Sequence, residues 1–429
     1  MSKFMPSPCQ AEAIRKISNW FTSRTTEQQV FRLFGYAGTG KTTIVRHVVE
    51  ELGLETMDKQ NFCDGGVLYG AFTGKAALVM TRKGTPALTI HSLIYRVSEA
   101  TPQEIERVEK ELADLVARVG QMGPAERTFA LTQIKRLELR LMDIHTPRFV
   151  LNEQSLVRDA DLLVLDEVSM VGEEMANDLL AFGTPILVLG DPGQLPPIKG
   201  EGAFTDTVPD VMLTEIHRQA ETSAIIRLAT MARQNIDIPF GQHDAFVWKM
   251  AQRDVTFDQM LNGGQVLCGL NATRIRLNSG MKRAAGFEET YPTGRGEKII
   301  CLKNRHDLGI VNGMFLELSD IRDEDAYRFS AEARTEDGQQ LPGRQRFYKG
   351  HFDDHVHYDK NRLTRDWREI KNIIESVWGY AITCHKSQGS QWENVIVFDD
   401  KFGHRKPEIR ARWLYTAITR AEKGLVILD

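Results

Sequence analysis

Apolar positions along the chain follow two periods. From Gln29 to Leu33 they alternate with polar ones. A glycine-rich stretch, Phe34 to Thr43, comes next, and then Ile44, Val45, Val48, Val49 and Leu52 recur at helical spacing. That order predicts strand, loop and helix. Two continuous apolar runs, Leu162 to Leu165 and Ile186 to Leu189, end in Asp166-Glu167 and Gly190-Asp191. Runs of this kind suit parallel strands covered on both faces. With Val67 to Tyr69 they predict an α/β domain over residues 1–210. Inside it, about 97–152 forms an insertion. There Ile105, Val108, Leu112, Leu115 and Val119, and after a Gly-Pro turn Ala130, Ile134, Leu137, Leu141 and Ile144, predict a helical hairpin. Such a hairpin is either a docking arm for a protein partner or DNA, or a pair that packs on itself. A second α/β pattern covers 211–294 and 377–429, through Val266 to Cys268, Val395 to Phe398 and Leu425 to Leu428. Between its halves, 295–376 shows short alternating stretches with turns at Asn312-Gly313 and Asp337-Gly338, which predict a small inserted β-barrel.

Composition narrows the classes. The 429 residues carry 54 Lys and Arg against 58 Asp and Glu, a net charge of −4, so an anionic partner must meet a local basic patch. With 42% hydrophobic and 26% charged residues, a globular chain is expected and general disorder is excluded. The five cysteines are scattered, with no C-x-x-C pair, so neither a disulfide framework nor a cysteine zinc site is expected. No apolar run is long enough to span a membrane, and the expected location is the cytoplasm.

The candidate chemistry is concentrated in a few segments. Gly35-x4-Gly40-Lys41-Thr42 is a complete phosphate-loop pattern between predicted strand and helix. Backbone N–H groups around Gly35, Gly38, Thr39 and Gly40 close on phosphates, Lys41 adds a point charge, and the Thr42 hydroxyl can ligate Mg²⁺ beside Thr43. A plain glycine turn before a helix is the alternative. Asp166-Glu167 stands at a strand end, where one carboxylate can hold the metal shell and the next polarise a water, unless the pair is only an exposed cap. His351, His355 and His357 with Asp353 and Asp354 have ligand-like spacing, but nothing else in the segment supports a metal site.

Eight blocks stand in one order: Gly35–Thr42, Ala71–Ala77, Thr89–Leu93, Leu165–Met170, Gly190–Pro197, Leu213–Gln219, Tyr380–Ser390 and Leu414–Ala421. In that order they resemble the motifs of superfamily 1 DNA helicases, and specifically the RecD and Dda branch. The resemblance spans Gln10 to Arg420. It implies two RecA-like P-loop domains, with ATP and Mg²⁺ in the cleft and single-stranded DNA across the top. It also implies unwinding of forked duplex DNA in the 5′→3′ direction. A DNA-stimulated translocase that does not unwind, or a non-catalytic scaffold subunit, would share parts of this pattern. By matching positions, Gln10 reads adenine and Asp166 binds the metal. Glu167 activates water, Gln194 senses the γ-phosphate, and Arg218 and Arg420 act as arginine fingers. Gly389 lies in the matching block on the second domain's side of the ATP site. Phe72, Thr73, Lys75, His91, Thr383, His385 and Ser387 match positions near the DNA strand. Phe72 replaces the proline usual in this branch by an aromatic that the opposite-polarity branch stacks on a base, which leaves the stepping detail open between the two. Arg148 to Leu151 is the remaining candidate for a strand-separating β pin.

Overall fold

The computed structural model describes residues 5–23, 25, 28–57, 65–98, 102–145, 148–196, 202–215, 223–352, 373–401 and 407–429. The first sheet is parallel throughout. From edge to edge it runs Leu88–Thr89, Val67–Ala71, Leu162–Asp166, Ile186–Gly190, Val30–Gly35, Val211–Leu213. Leu162 through Leu165 and Ile186 through Val188 are fully buried, which explains why these strands are apolar at every position. On one face the helices Pro8–Ser23 and Lys41–Glu51 bury Ala13, Ile17, Ile44, Val45 and Val48 against the sheet. Each of the Val and Ile side chains contributes about 1.5–3 kcal/mol by leaving water, and Ala13 less. The phosphate loop and the Asp166 acid therefore leave the same C-terminal edge from two parallel strands that flank Ile186–Gly190, where α/β sheets place ligands.

The second sheet runs Ala381–Thr383, Gln265–Cys268, Trp392–Phe398, Ala421–Leu428, Val247–Met250, Gly241–Asp244. It is parallel except at its last pair, where Val247–Met250 and Gly241–Asp244 form a hairpin. Those last two strands were not foreseen. Gly241–Asp244 has no apolar side chain to betray it, and it forms because Val247–Met250 offers a free edge.

Residues 297–378 contain a third, antiparallel sheet in the order Gln345–Tyr348, Arg328–Thr335, Phe315–Asp323, Glu297–Cys301, Ser376–Trp378. Phe347 also bridges Ile374, just ahead of the opposite edge strand, so the sheet curls back on itself around Phe329, Phe347 and Phe352. Gly313 and Gly338, in the two turns read from sequence, both have positive φ.

The helices Pro102–Val119 and Pro124–His145 pair with each other and bury Val108, Leu137 and Leu141 between them, with Leu112 and Leu115 packed alongside. Their alternating spacing thus encodes a self-packed hairpin. It is carried on a two-stranded ribbon, Tyr95–Ser98 against Arg148–Leu151, that leads out of the first domain and back. Among the described residues, no helix is long and apolar enough to cross a membrane.

Candidate nucleotide site and interdomain cleft

The helix Lys41–Glu51 begins at Gly40, whose φ of 81° lies in the left-handed region. A side chain there would be strained and its Cβ would sit 2.8 Å from Gln10 Nε2, so glycine is required twice over. Gln10 is buried. Its Nε2 donates to Thr39 O at 3.1 Å, and its Oε1 accepts the Ser7 N–H at 3.0 Å, so one end of the amide ties the loop to the start of the first helix while the other is fixed within that start. Thr39 is buried too, donating to Tyr36 O at 2.8 Å. Gly35 ends its strand where a Cβ would meet Thr39 Oγ1 at 2.6 Å, and Gly38 again has positive φ. Lys41 folds back over the loop it belongs to, its ammonium 2.6 Å from Gly35 O and 3.2 Å from Tyr36 O. The loop is thus a ring of N–H groups with a cation parked on its own carbonyls, ready to exchange them for stronger anionic acceptors.

Asp166 and Glu167 lie beside it. Glu167 has φ 54°, a conformation rare outside glycine, and its N–H donates to Asp166 Oδ1 at 2.8 Å. The Thr42 hydroxyl lies close enough to the Asp166 carboxylate to favour its charged form. Burial pushes the Asp166 carboxyl above the usual range, against the opposing pull of Lys41 and of these two groups. Burial raises Glu167 as well, with Arg420 pulling the other way and Asp166 adding to the rise. Thr42 and Asp166 together offer hard oxygen donors next to a phosphate loop, the ligand type that Mg²⁺ takes.

The second domain closes the cleft. Arg420 is buried, held by Thr416 O at 3.1 Å and Ser390 O at 3.3 Å, and its Nη1 stands 3.9 Å from Glu167 Oε1. Gln194 is buried with its Oε1 unpartnered, a polar atom aimed at no protein donor beside these groups. Leu195 is tied twice: its N–H donates to Thr416 Oγ1 at 3.0 Å and its carbonyl accepts Gln388 Nε2 at 3.0 Å. Gly389, at φ 74°, passes so close to the first domain that a Cβ would meet Thr73 Oγ1 and Ala76 Cβ at 2.7 Å. Between the helix Ala224–Arg233 and the phosphate loop lies a cavity of about 360 Å³ bordered by Tyr36, Ala37, Arg233 and Tyr415. The Arg233 guanidinium carbon sits 3.7 Å over the Tyr36 ring there. Arg218 falls within residues 216–222, outside the described residues, as do His355, His357, Asp353 and Asp354.

The positions matched to DNA contacts differ in availability. Phe72, half-buried, meets His91 edge to face at 5.9 Å, and His91 in turn meets Tyr95 and Phe149. Burial lowers the His91 and His385 pKa values, favouring neutral imidazoles. Thr73 caps the helix Gly74–Arg82 by accepting the Ala76 N–H. Thr383 precedes the short helix Cys384–Ser387 and caps it with no side-chain bond. Two of these positions are otherwise engaged in this conformation. Ser387 is fully buried and donates to Cys384 O at 2.7 Å, so it has no surface to offer a strand. Lys75 is occupied: its ammonium bonds Glu336 at 2.9 Å and lies over the Phe315 and Trp392 rings, with burial lowering its pKa. Sequence reasoning passed over Asp191, Arg233, Glu336 and Tyr415, whose partners are far away in the chain. The sequence signal for Asp191 and Tyr415 is their place in the blocks Gly190–Pro197 and Leu414–Ala421, which does not reveal that the two side chains meet.

A family model described as AAA domain matches residues 6–238, and one described as UvrD-like helicase C-terminal domain matches 379–428. The ATP-dependent RecD2 DNA helicase of Deinococcus radiodurans is 26% identical over 290 residues, covering 61% of this chain but only 35% of that protein. A conjugal transfer protein TraA of Rhizobium radiobacter is 26% identical over 279 residues, 57% of this chain and 23% of its own. The chain thus spans about a third or less of these relatives. In fold it resembles a Bacteroides Pif1 helicase crystallised with ADP-AlF3 and ssDNA, at 16% identity and TM-score 0.50, covering 99% of this chain and 92% of that one. The AAA-domain match over more than half its length, together with the phosphate loop, means that the chain belongs to the AAA-domain family.

Proposed function

We propose that the chain is an ATP-dependent DNA helicase that moves along single-stranded DNA 5′→3′ and opens forked duplex ahead of it, in the cytoplasm. The observation that carries this reading is Arg420 reaching across the cleft to within 3.9 Å of Glu167. A charge supplied by one domain to the hydrolytic carboxylate of the other makes turnover depend on domain closure. Residues 1–210 form the first motor domain, 211–294 with 377–429 the second, and 295–376 the inserted sheet domain. In the closed cleft Lys41 moves from its loop carbonyls to the phosphates. Glu167, its carboxyl raised by burial, takes the proton of the attacking water. Arg420 balances the charge that develops, with Arg218 as the second finger. Thr42 and Asp166 hold Mg²⁺, which when bound neutralises charge on the transferred phosphoryl group. Gln194 uses its unpartnered oxygen to position the water. The strand crosses Phe72, Thr73, His91, Thr383 and His385, and Lys75 joins once released. The exposed Phe149 and Val150 of the ribbon give an apolar edge at the fork.

The test is ATP-driven unwinding of a duplex bearing either a 5′ or a 3′ single-stranded tail. Unwinding from the 5′ tail, lost in Lys41→Ala, is expected. Unwinding from the 3′ tail would reverse the direction and make Phe72 its marker. DNA-stimulated hydrolysis with no unwinding from either tail would leave a translocase.

A further inference from the structure

Asp191 follows directly on the strand Ile186–Gly190 and is buried. Its Oδ1 accepts the Gly193 N–H at 2.9 Å, and its Oδ2 accepts the Tyr415 hydroxyl at 2.7 Å. The same Tyr415 oxygen accepts the Ala37 N–H at 2.8 Å. Three distant parts of the chain therefore meet at one atom: a strand end of the first sheet, the phosphate loop, and the helix Pro407–Ile418 that leads to Arg420. The fit is close, since a Cβ on Gly193 would come within 2.9 Å of Tyr415 Cε1, and the Tyr36 ring packs edge-on at 6.4 Å. Thr416 and Gln388 hold the segment after Asp191, but of these three second-domain side chains Tyr415 is the one that reaches the phosphate loop.

Chemically, the arrangement is directional. A buried carboxylate fixes the hydroxyl as donor, which leaves its lone pair for the Ala37 amide, and burial keeps the phenol protonated. The bond to Ala37 is neutral, whereas a phosphate oxygen is a stronger, charge-assisted acceptor for loop N–H groups. Filling the loop and moving the second domain therefore act on the same amide.

We propose that Tyr415 is a positioning residue that couples the second domain to the phosphate loop, its hydroxyl making the Asp191–Tyr415–Ala37 link when the cleft lacks nucleotide and breaking it as nucleotide is engaged. This rests on the motor reading above and deepens it. Tyr415 touches no reacting group; it sets the loop according to where the second domain stands, so DNA bound to that domain can alter the rate at the phosphate.

The test uses the full chain, wild type and Tyr415→Phe, which keeps the ring and removes the one oxygen. Hydrolysis of ATP is followed with and without oligo-dT, and thermal unfolding is recorded as a check on folding. The stimulated turnover number is expected to fall about tenfold, the rate equivalent of one buried hydrogen bond, while KM for ATP moves less than about twofold. Hydrogen exchange at the Ala37 amide is expected to quicken in the variant. Unchanged stimulation in a folded variant overturns the proposal. So does an equal loss of basal and stimulated turnover, because a merely structural residue would act in that way. If Tyr415→Phe does not fold, Asp191→Asn reads the same link by weakening the group that orients the hydroxyl, and normal stimulation there overturns the proposal. A wild-type chain without DNA-stimulated hydrolysis overturns the motor reading instead, and amide exchange at Ala37 still reports whether the link exists.

Discussion

Glu167 holds a left-handed backbone angle, and its carboxyl is raised by burial, so the folded chain favours its protonated form more than the unfolded chain does. A carboxyl with a raised folded pKa adds most stability at pH values below its unfolded pKa. That contribution is lost as pH rises through the folded value, so at neutral pH the charge is a net cost. In the proposed function the same carboxylate is the base for water. Replacing it by the neutral isostere Glu167→Gln is therefore expected to separate the two effects. ATP turnover should drop by at least about a hundredfold. The unfolding midpoint should rise by a few degrees, the scale of about 1 kcal/mol. Calorimetry at pH 7 and pH 5 checks this: the gain should shrink at the lower pH, where the wild-type carboxyl is closer to neutral. A midpoint that falls at pH 7 would mean that the attraction to Arg420, at 3.9 Å, outweighs the desolvation.

At the scale of elements, what was legible in the sequence is what local periodicity determines. The phosphate loop, the apolar strands Leu162–Asp166 and Ile186–Gly190, and the paired helices Pro102–Val119 and Pro124–His145 each announce themselves within about 20 residues, because burial on two faces or on one stripe dictates every position. The hairpin Gly241–Asp244 with Val247–Met250 was not legible, since an edge strand needs only a free partner. Nor were the links of Lys75 to Glu336 and of Ala37 to Tyr415, which join residues 261 and 378 positions apart and depend on how sheets close, not on any local pattern. The ribbon was half legible: Arg148–Leu151 reads as a strand fragment, but its partner Tyr95–Ser98 and the outward pose of Phe149, 57% exposed, appear only in three dimensions. Phe149 packs on His91 and Tyr95 while exposing the rest of its ring, which makes it an apolar edge beside the positions proposed to meet the strand. Phe149→Ala is expected to cut the unwinding rate about tenfold while single-strand-stimulated hydrolysis stays within about twofold, since loss of one stacked aromatic is worth roughly 1–3 kcal/mol at the fork alone. Equal loss in both assays would place Phe149 on the translocation track instead.

Across the whole molecule, the inserted sheet domain is tied to the first motor domain through one helix. Lys75 and Arg82, near the two ends of Gly74–Arg82, pair with the adjacent Glu336 and Asp337, and the backbone at Gly74 lies so close to Val311 that a Cβ would be 2.7 Å from it. Glu336 occupies the ammonium that, under the proposed function, would meet a DNA phosphate. If Lys75 contacts the strand as the proposed function has it, DNA and Glu336 compete for a single cation, and binding a strand loosens the tie between the two domains. Arg82 and Asp337 are largely exposed and contribute little, whereas the Lys75 side chain is 12% exposed and its pair matters more. Removing the competitor should favour DNA. Glu336→Gln is therefore expected to tighten single-strand binding about three- to tenfold at fixed salt, through a charge-assisted contact no longer contested. Fluorescence anisotropy over a salt series checks it, with a steeper slope of affinity against salt as the signature that Lys75 has gained a phosphate. In Lys75→Gln the same Glu336→Gln change should have no further effect, because the two substitutions remove opposite ends of one interaction. Additive effects in that double variant would show that Glu336 acts on the strand by long-range repulsion and not by holding Lys75.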